Sequence, residues 1–254
     1  MPRVLLLDVG NSAIKAAWSD GDAILEMRRW DLTPSAGVAP ALDDIRSSPP
    51  FDSVVFMSVN PPASEALVGA LGVPAGSVHE VGKDLPVGMQ VKTEEPERVG
   101  ADRTTTAIAA YRLHEGALIV VDFGTAITFD CVDAAGAFLG GAICPGVRMI
   151  TAALERDTAF LPAVDVSPRE HFLGRSTEEA MICGVYHCLV ETTNGILEGL
   201  FEEMGGNVPV IATGGDAEMV APSCPAISEV RPGLSLEGLL VLYRCNREKT
   251  GGAE

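Results

Sequence analysis

Ala117-Leu-Ile-Val-Val121, followed by Asp122-Phe-Gly-Thr-Ala-Ile-Thr-Phe-Asp130, decides the reading of this chain. The five apolar residues, rich in β-branching, predict a buried strand. Asp-x-Gly-Thr then predicts a tight turn. Gly124 permits close backbone approach, and Thr125 and Thr128 bring hydroxyl donors. Such a turn offers N–H and O–H groups to phosphate oxygens, while an acid at the strand end can hold a cation. The chain opens on the same device: Val4-Leu-Leu-Leu7 is a strand, and Asp8-Val-Gly-Asn-Ser12 with Lys15 is its turn. One unit in each half of the chain predicts a duplicated α/β fold whose halves close on a nucleotide.

Working outward, each turn leads into a strand-turn-strand continuation. In the first half this is Ala16–Trp18, Asp20-Gly21-Asp22 and Ala23–Met27; in the second it is Phe129–Val132, Asp133–Gly136 and Ala137–Leu139. Further strands are expected at Ser53–Ser58, Val78–Val81 and Pro209–Ala212. Helices are expected at Ala36–Ser48, at Glu65–Leu71 behind a Ser64 cap, and at Thr104–Leu113, Val147–Glu155, Thr177–Met204 and Leu236–Arg247. Leu85–Pro96 and Arg156–Leu173 read as irregular, Gly140–Gly146 as a glycine-rich loop, and the tail from Thr250 as frayed. The halves divide into domains 1–115 and 116–254.

The chain has 254 residues, 47% of them hydrophobic, so it can build a sizeable core. Its net charge of −17 argues against a general nucleic-acid or anionic-membrane surface. The four-residue apolar run near the N-terminus is too short for a signal peptide, and no run approaches a membrane span, so a cytoplasmic location is expected. Six cysteines without C-x-x-C or zinc spacing read as reduced core residues. The four histidines are scattered and read as structural or solvated.

No Walker A pattern, G-x-G-x-x-G, HExxH or protein-kinase catalytic loop occurs, which removes the support for those readings. Phosphoryl transfer needs little covalent help: positioning, charge neutralisation and one group near the attacking hydroxyl. Asp102, with Arg103 beside it for an anionic substrate group, suits the role of general base. Local sequence alone favours the plainer alternative, a cap on the following helix. Thr213-Gly214-Gly215, after a strand, suits close approach of an adenosine, or is a plain strand-to-helix turn.

Taken in order, Asp8-x-Gly-Asn-Ser…Lys15, Gly100-Ala-Asp-Arg103, Asp122-x-Gly-Thr-Ala-x-Thr…Asp130, Gly140-Gly…Pro145-Gly146 and Thr213-Gly-Gly215 resemble type III pantothenate kinase. The opening turn is shared across the acetate kinase, sugar kinase, Hsp70 and actin superfamily, whereas Gly-Ala-Asp-Arg together with Asp-x-Gly-Thr-Ala is more specific. The resemblance implies two RNase H-like (actin-like ATPase) domains, each a mixed five-stranded sheet with flanking helices, in a homodimer. It implies ATP-dependent phosphorylation of pantothenate in coenzyme A synthesis, with Mg2+ and a monovalent cation, K+ or NH4+. Asp102 would be the proton acceptor. Asp8, Val9, Gly10, Asn11, Ser12, Ala13, Ile14, Lys15, Thr125, Gly214 and Gly215 would bind ATP. Gly100, Ala101, Asp102, Arg103 and Thr177 would contact pantothenate, and Asp122 the monovalent cation. Thr93 stands where the family often has a tyrosine lining the substrate pocket. A kinase of another small hydroxylated substrate, or a regulatory ATP-binding protein without turnover, are the alternatives.

Overall fold

A computed structural model describes residues 3–251, with side chains through Arg247. The chain divides into two compact units, Met1–Leu113 with Gly233–Glu254, and His114–Pro232. Each is built on one of the two expected mixed five-stranded sheets.

The first sheet comprises β1 (Val4–Val9), β2 (Ala13–Ser19), β3 (Ile24–Asp31), β4 (Ser53–Ser58) and β5 (Val78–Glu80), in the order β3-β2-β1-β4-β5. β1 runs antiparallel to β2 and parallel to β4. Its near-continuous apolar sequence follows from burial on both faces. Leu5, Leu7 and Val9 pack with Ala41 and Ile45 of α1 (Ala39–Ser47) and Leu67 of α2 (Pro61–Leu71). Val4 and Leu6 pack with Ile108 of α3 (Ala101–His114) and Leu236, Leu239 and Leu240 from the last helix of the chain, Leu234–Gly251.

The second sheet repeats this plan. β6 (Leu118–Phe123), β7 (Ala126–Val132), β8 (Phe138–Pro145), β9 (Val210–Thr213) and β10 (Glu229–Val230) lie in the order β10-β9-β6-β7-β8, again with an antiparallel meander on one side and parallel strands on the other. Ile119, Val121 and Phe123 face α5 (Thr177–Glu203), which follows α4 (Val147–Asp157) and buries Val185, Leu189 and Leu197. The short α6 (Ala217–Val220) packs on the same core, and the final helix is α7.

Four expectations are corrected. The last helix was placed in the domain 116–254; its leucines instead complete the core of the first unit. Ser64 does not cap α2, because Pro61 and Pro62 start the helix earlier and Asn60 Oδ1 accepts from Ala63 N at 3.3 Å. Gly140–Gly146 is not a loop over most of its length: pairing with β7 carries β8 through Pro145. The third helix begins at Ala101 rather than Thr104, so Asp102 lies inside its first turn. The tail expected to fray from Thr250 is helical through Gly251, and residues 252–254 lie outside the described residues. Among the described residues no helix is long and apolar enough to cross a membrane. All six cysteines are free, and burial pushes the Cys224 thiol up to about 11.

Candidate functional site

In the first unit, Asp8 is the last residue but one of β1, and its carboxylate points to the face covered by α3 and α7. Lys15 Nζ, opposite it on β2, lies 3.3 Å from Asp8 Oδ2, and Ser235 Oγ, at the start of α7, donates to the same oxygen at 2.8 Å. Sequence reasoning missed Ser235; the only signal available was a serine at the front of the last apolar helix. Gly10 N–H closes its own turn on Ala13 O at 3.0 Å. Val9 and Ile14, assigned to ATP through the resemblance, bury their side chains in the core and can offer a ligand only backbone. Asn11 is exposed at the tip, with Ser12 and Ala13 beside it half-buried.

Asp102 enters this neighbourhood from α3. Burial raises its carboxyl above the ordinary value; the Arg103 N–H, which donates to Asp102 Oδ1 at 2.9 Å, opposes the rise, and the negative charge of Asp8 adds to it. A raised carboxyl is the direction that a general base calls for. The bond to the adjacent N–H also shows that Asp102 is not a conventional cap, which would accept from two or three residues ahead. Gly100 keeps the carboxylate in place, since a Cβ there would collide with Asp102 Oδ1. Ala101 and Arg103 complete the segment, both half-buried. Thr93 buries its Oγ1 with no hydrogen-bond partner among the described residues.

In the second unit, Asp122 is the last residue but one of β6. It lies in register with Thr128 on β7 and Thr213 on β9, so three oxygen-bearing side chains line one face of the sheet. Thr128 Oγ1 donates to the fully buried Asp130 at 2.9 Å. Thr213 Oγ1 is buried without a hydrogen-bond partner among the described residues. The Asp122 carboxylate beside the Thr128 and Thr213 hydroxyls offers the kind of oxygen donors that a hard cation takes. Gly214, at φ 97°, is required: a Cβ would strike the Asp122 carboxylate and the Phe123 backbone. Gly215 and Thr125 are exposed, and Gly124 N–H closes its turn on Ala126 O at 3.2 Å. Thr177 opens α5, exposed, one residue after the Ser176 cap, and lines a groove of about 520 Å³ with Leu154, Leu161 and Met181. Thus the residues assigned from sequence fall into two sets, Asp8–Lys15 with Gly100–Arg103 in one unit, and Asp122, Thr125, Thr177 and Gly214–Gly215 in the other.

Comparison with known proteins gives the family of the chain. Residues 4–199 match the family model for type III pantothenate kinase. A type III pantothenate kinase of Geotalea uraniireducens is 34% identical over 96% of this chain and 99% of its own. Among solved structures, one from Campylobacter jejuni, named for the Baf family of transcriptional activators, superposes with a TM-score of 0.61 at 20% identity, covering 96% of this chain and 99% of that one. A ROK family glucokinase from Streptomyces griseus, in complex with glucose and AMPPNP, gives 0.55 at 13% identity over 96% and 99%. The two structures share the fold, and the sequence match carries the family. The chain belongs to the type III pantothenate kinase family.

Proposed function

We propose that the protein transfers the γ-phosphoryl group of ATP to the hydroxyl of pantothenate, giving 4'-phosphopantothenate, the first step of coenzyme A synthesis. The observation that carries this reading is Asp102, a half-buried carboxylate with a raised pKa in the Gly-Ala-Asp-Arg segment of a chain that belongs to a kinase family. Ionised Asp102 accepts the proton of the attacking hydroxyl, and the adjacent Arg103 attracts the substrate carboxylate. Thr177 donates its hydroxyl to the substrate.

For ATP, the proposal assigns Asp8–Lys15 in the first unit and Thr125, Gly214 and Gly215 in the second. Mg2+ would travel with the nucleotide, held chiefly by phosphate oxygens, as this small ion commonly is. The monovalent cation would sit on Asp122 with Thr128 and Thr213, where it supplies one positive charge toward the phosphates. The same reading includes a homodimer and a cytoplasmic location.

The test is ADP formation by the purified protein with ATP, Mg2+ and pantothenate, first in K+ or NH4+ and then in Na+. Pantothenate-dependent turnover that collapses in Na+ is expected. Good turnover of a hexose with pantothenate ignored would overturn the substrate, and nucleotide binding without any product would favour a regulatory protein.

A further inference from the structure

The segment before α5 is irregular, yet it is bound tightly to the helix it precedes. Glu179, in the first turn of α5, receives both ends of this segment: Arg175 N–H donates to Oε2 at 2.7 Å, and His171 Nε2 lies 3.0 Å from Oε1. A carboxylate only accepts, so the His171 nitrogen is the donor. About two turns further along, His187 Nε2 lies 3.1 Å from the His171 carbonyl, so it too carries its proton. The His187 ring stacks on Phe172, with centroids 3.7 Å apart and planes 12° from parallel. Gly174 lies against the helix backbone, and a Cβ there would collide with Ala180 N. The two hydrogen bonds, Arg175 first and His171 second, hold the Glu179 carboxyl below its ordinary value.

Part of this is ordinary helix capping: Ser176 Oγ accepts from Glu179 N at 3.2 Å. A capping-box glutamate, however, reaches back to the cap residue's own N–H. Glu179 reaches one residue further, to Arg175, and across to His171. It therefore spends both oxygens on the preceding segment rather than on the helix end.

We propose that Glu179 is the positioning residue of the substrate segment: its carboxylate clasps residues 171–175 to α5 and thereby fixes the backbone that presents Thr177. The inference rests on the reading of Thr177 as a pantothenate contact and names the group that keeps that contact in place. Without the clasp, residues 171–175 would lose two of their ties to α5, and the hydroxyl of Thr177 would sample positions away from the substrate.

Four variants, each compared with the unmodified protein, test it by steady-state kinetics and by amide hydrogen exchange over residues 171–177. Glu179→Ala should raise KM for pantothenate between about tenfold and a hundredfold, while kcat and KM for ATP hold steady, because a small displacement of a contact is enough for such a loss. Glu179→Gln, whose amide oxygen can still accept from Arg175, should recover most of it. Thr177→Val should raise the same KM, and His171→Ala, which removes one of the two ties, should fall between. Exchange in residues 171–177 should accelerate in Glu179→Ala and not elsewhere. If Thr177→Val raises KM and Glu179→Ala does not, the clasp is overturned and the Thr177 contact stands. If Thr177→Val changes nothing, the contact itself is wrong, and the proposal falls with it. Losses in kcat and in both KM values, together with a lowered Tm, would assign Glu179 to general stability and overturn the proposal. Unchanged exchange in residues 171–177 would overturn it even if pantothenate proved not to be the substrate.

Discussion

The turns after β1 and β6 share a backbone plan and differ in charge. β1 and β6 have the same burial pattern, as do β2 and β7, and each turn is closed by a glycine N–H on the first carbonyl of the next strand. Three residues, Gly10 to Ser12, make the first turn; two, Gly124 and Thr125, make the second. Across from Asp8 stands Lys15, an ammonium 3.3 Å away; across from Asp122 stands Thr128, whose proton goes to Asp130. On the other flank Met57 pairs with Asp8, and Thr213 with Asp122. The first unit carries a positive charge of its own beside its acid, while the second sets neutral oxygens on the same register line. A repeated scaffold can therefore hold two different ionic devices, and the difference lies in side chains on one line across the sheet.

That contrast can be broken from either side. The largest effect is expected at Asp102→Asn, which keeps the shape and removes the base: turnover should fall by about 10²- to 10⁴-fold in the ADP assay. Because the folded-state pKa of Asp102 is raised, ionising it costs stability. That cost is absent below the ordinary carboxylate pKa and grows as pH rises through the raised value. Asp102→Asn should therefore melt higher than the parent at neutral pH, with the gain vanishing in acid. In the parent enzyme, the acidic limb of the turnover profile should lie above the usual carboxylate range. A stable variant with full turnover would return Asp102 to a structural role.

Next in size is the second unit's line. Asp122→Asn should cost at least about tenfold in turnover in K+, equivalent to about 1.4 kcal/mol, and should erase the difference between K+ and Na+. Thr128→Lys makes the sharper comparison, since it writes the Lys15 arrangement into the second unit. Its turnover should depend less on the added cation than that of the parent, and K+ should no longer raise its Tm. A smaller effect belongs to Ser235→Ala, which removes the hydroxyl on Asp8 and should cost about 1 kcal/mol in a denaturant titration. The smallest is Thr93→Val: the buried Oγ1 has no described partner, so stability should change by less than about 0.5 kcal/mol.

Local patterns were most legible where they were repeated. Both strand-turn-strand openings, the long α5 and the two sheets follow from apolar runs broken by Asp-Gly and Gly turn signals. The Asp8 and Asp122 turns could be found because they occur twice. Less legible were features set by partners distant in sequence. Ser235 meets Asp8 only through the return of α7, and nothing local in Gly140–Gly146 reveals that β7 will extend it into a strand. Asp102 was ambiguous because a cap and a base use the same residue type at a helix start. Its burial and its bond to Arg103 N–H bear on that choice, and neither can be read from neighbours in the chain.

The return of α7 has a consequence for how the molecule is made. Val4, Leu6, Ala17, Val55 and Met57 form a sheet face whose cover includes Leu236, Leu239, Leu240 and Leu242. Synthesis runs from N- to C-terminus at about 5–20 residues per second. The first sheet therefore emerges from the ribosome roughly ten seconds or more before its last helix exists. During that interval an apolar β-surface stands incompletely covered, while the second unit, His114–Pro232, is contiguous and can close first. The half of the chain that is translated first is the half that finishes folding last.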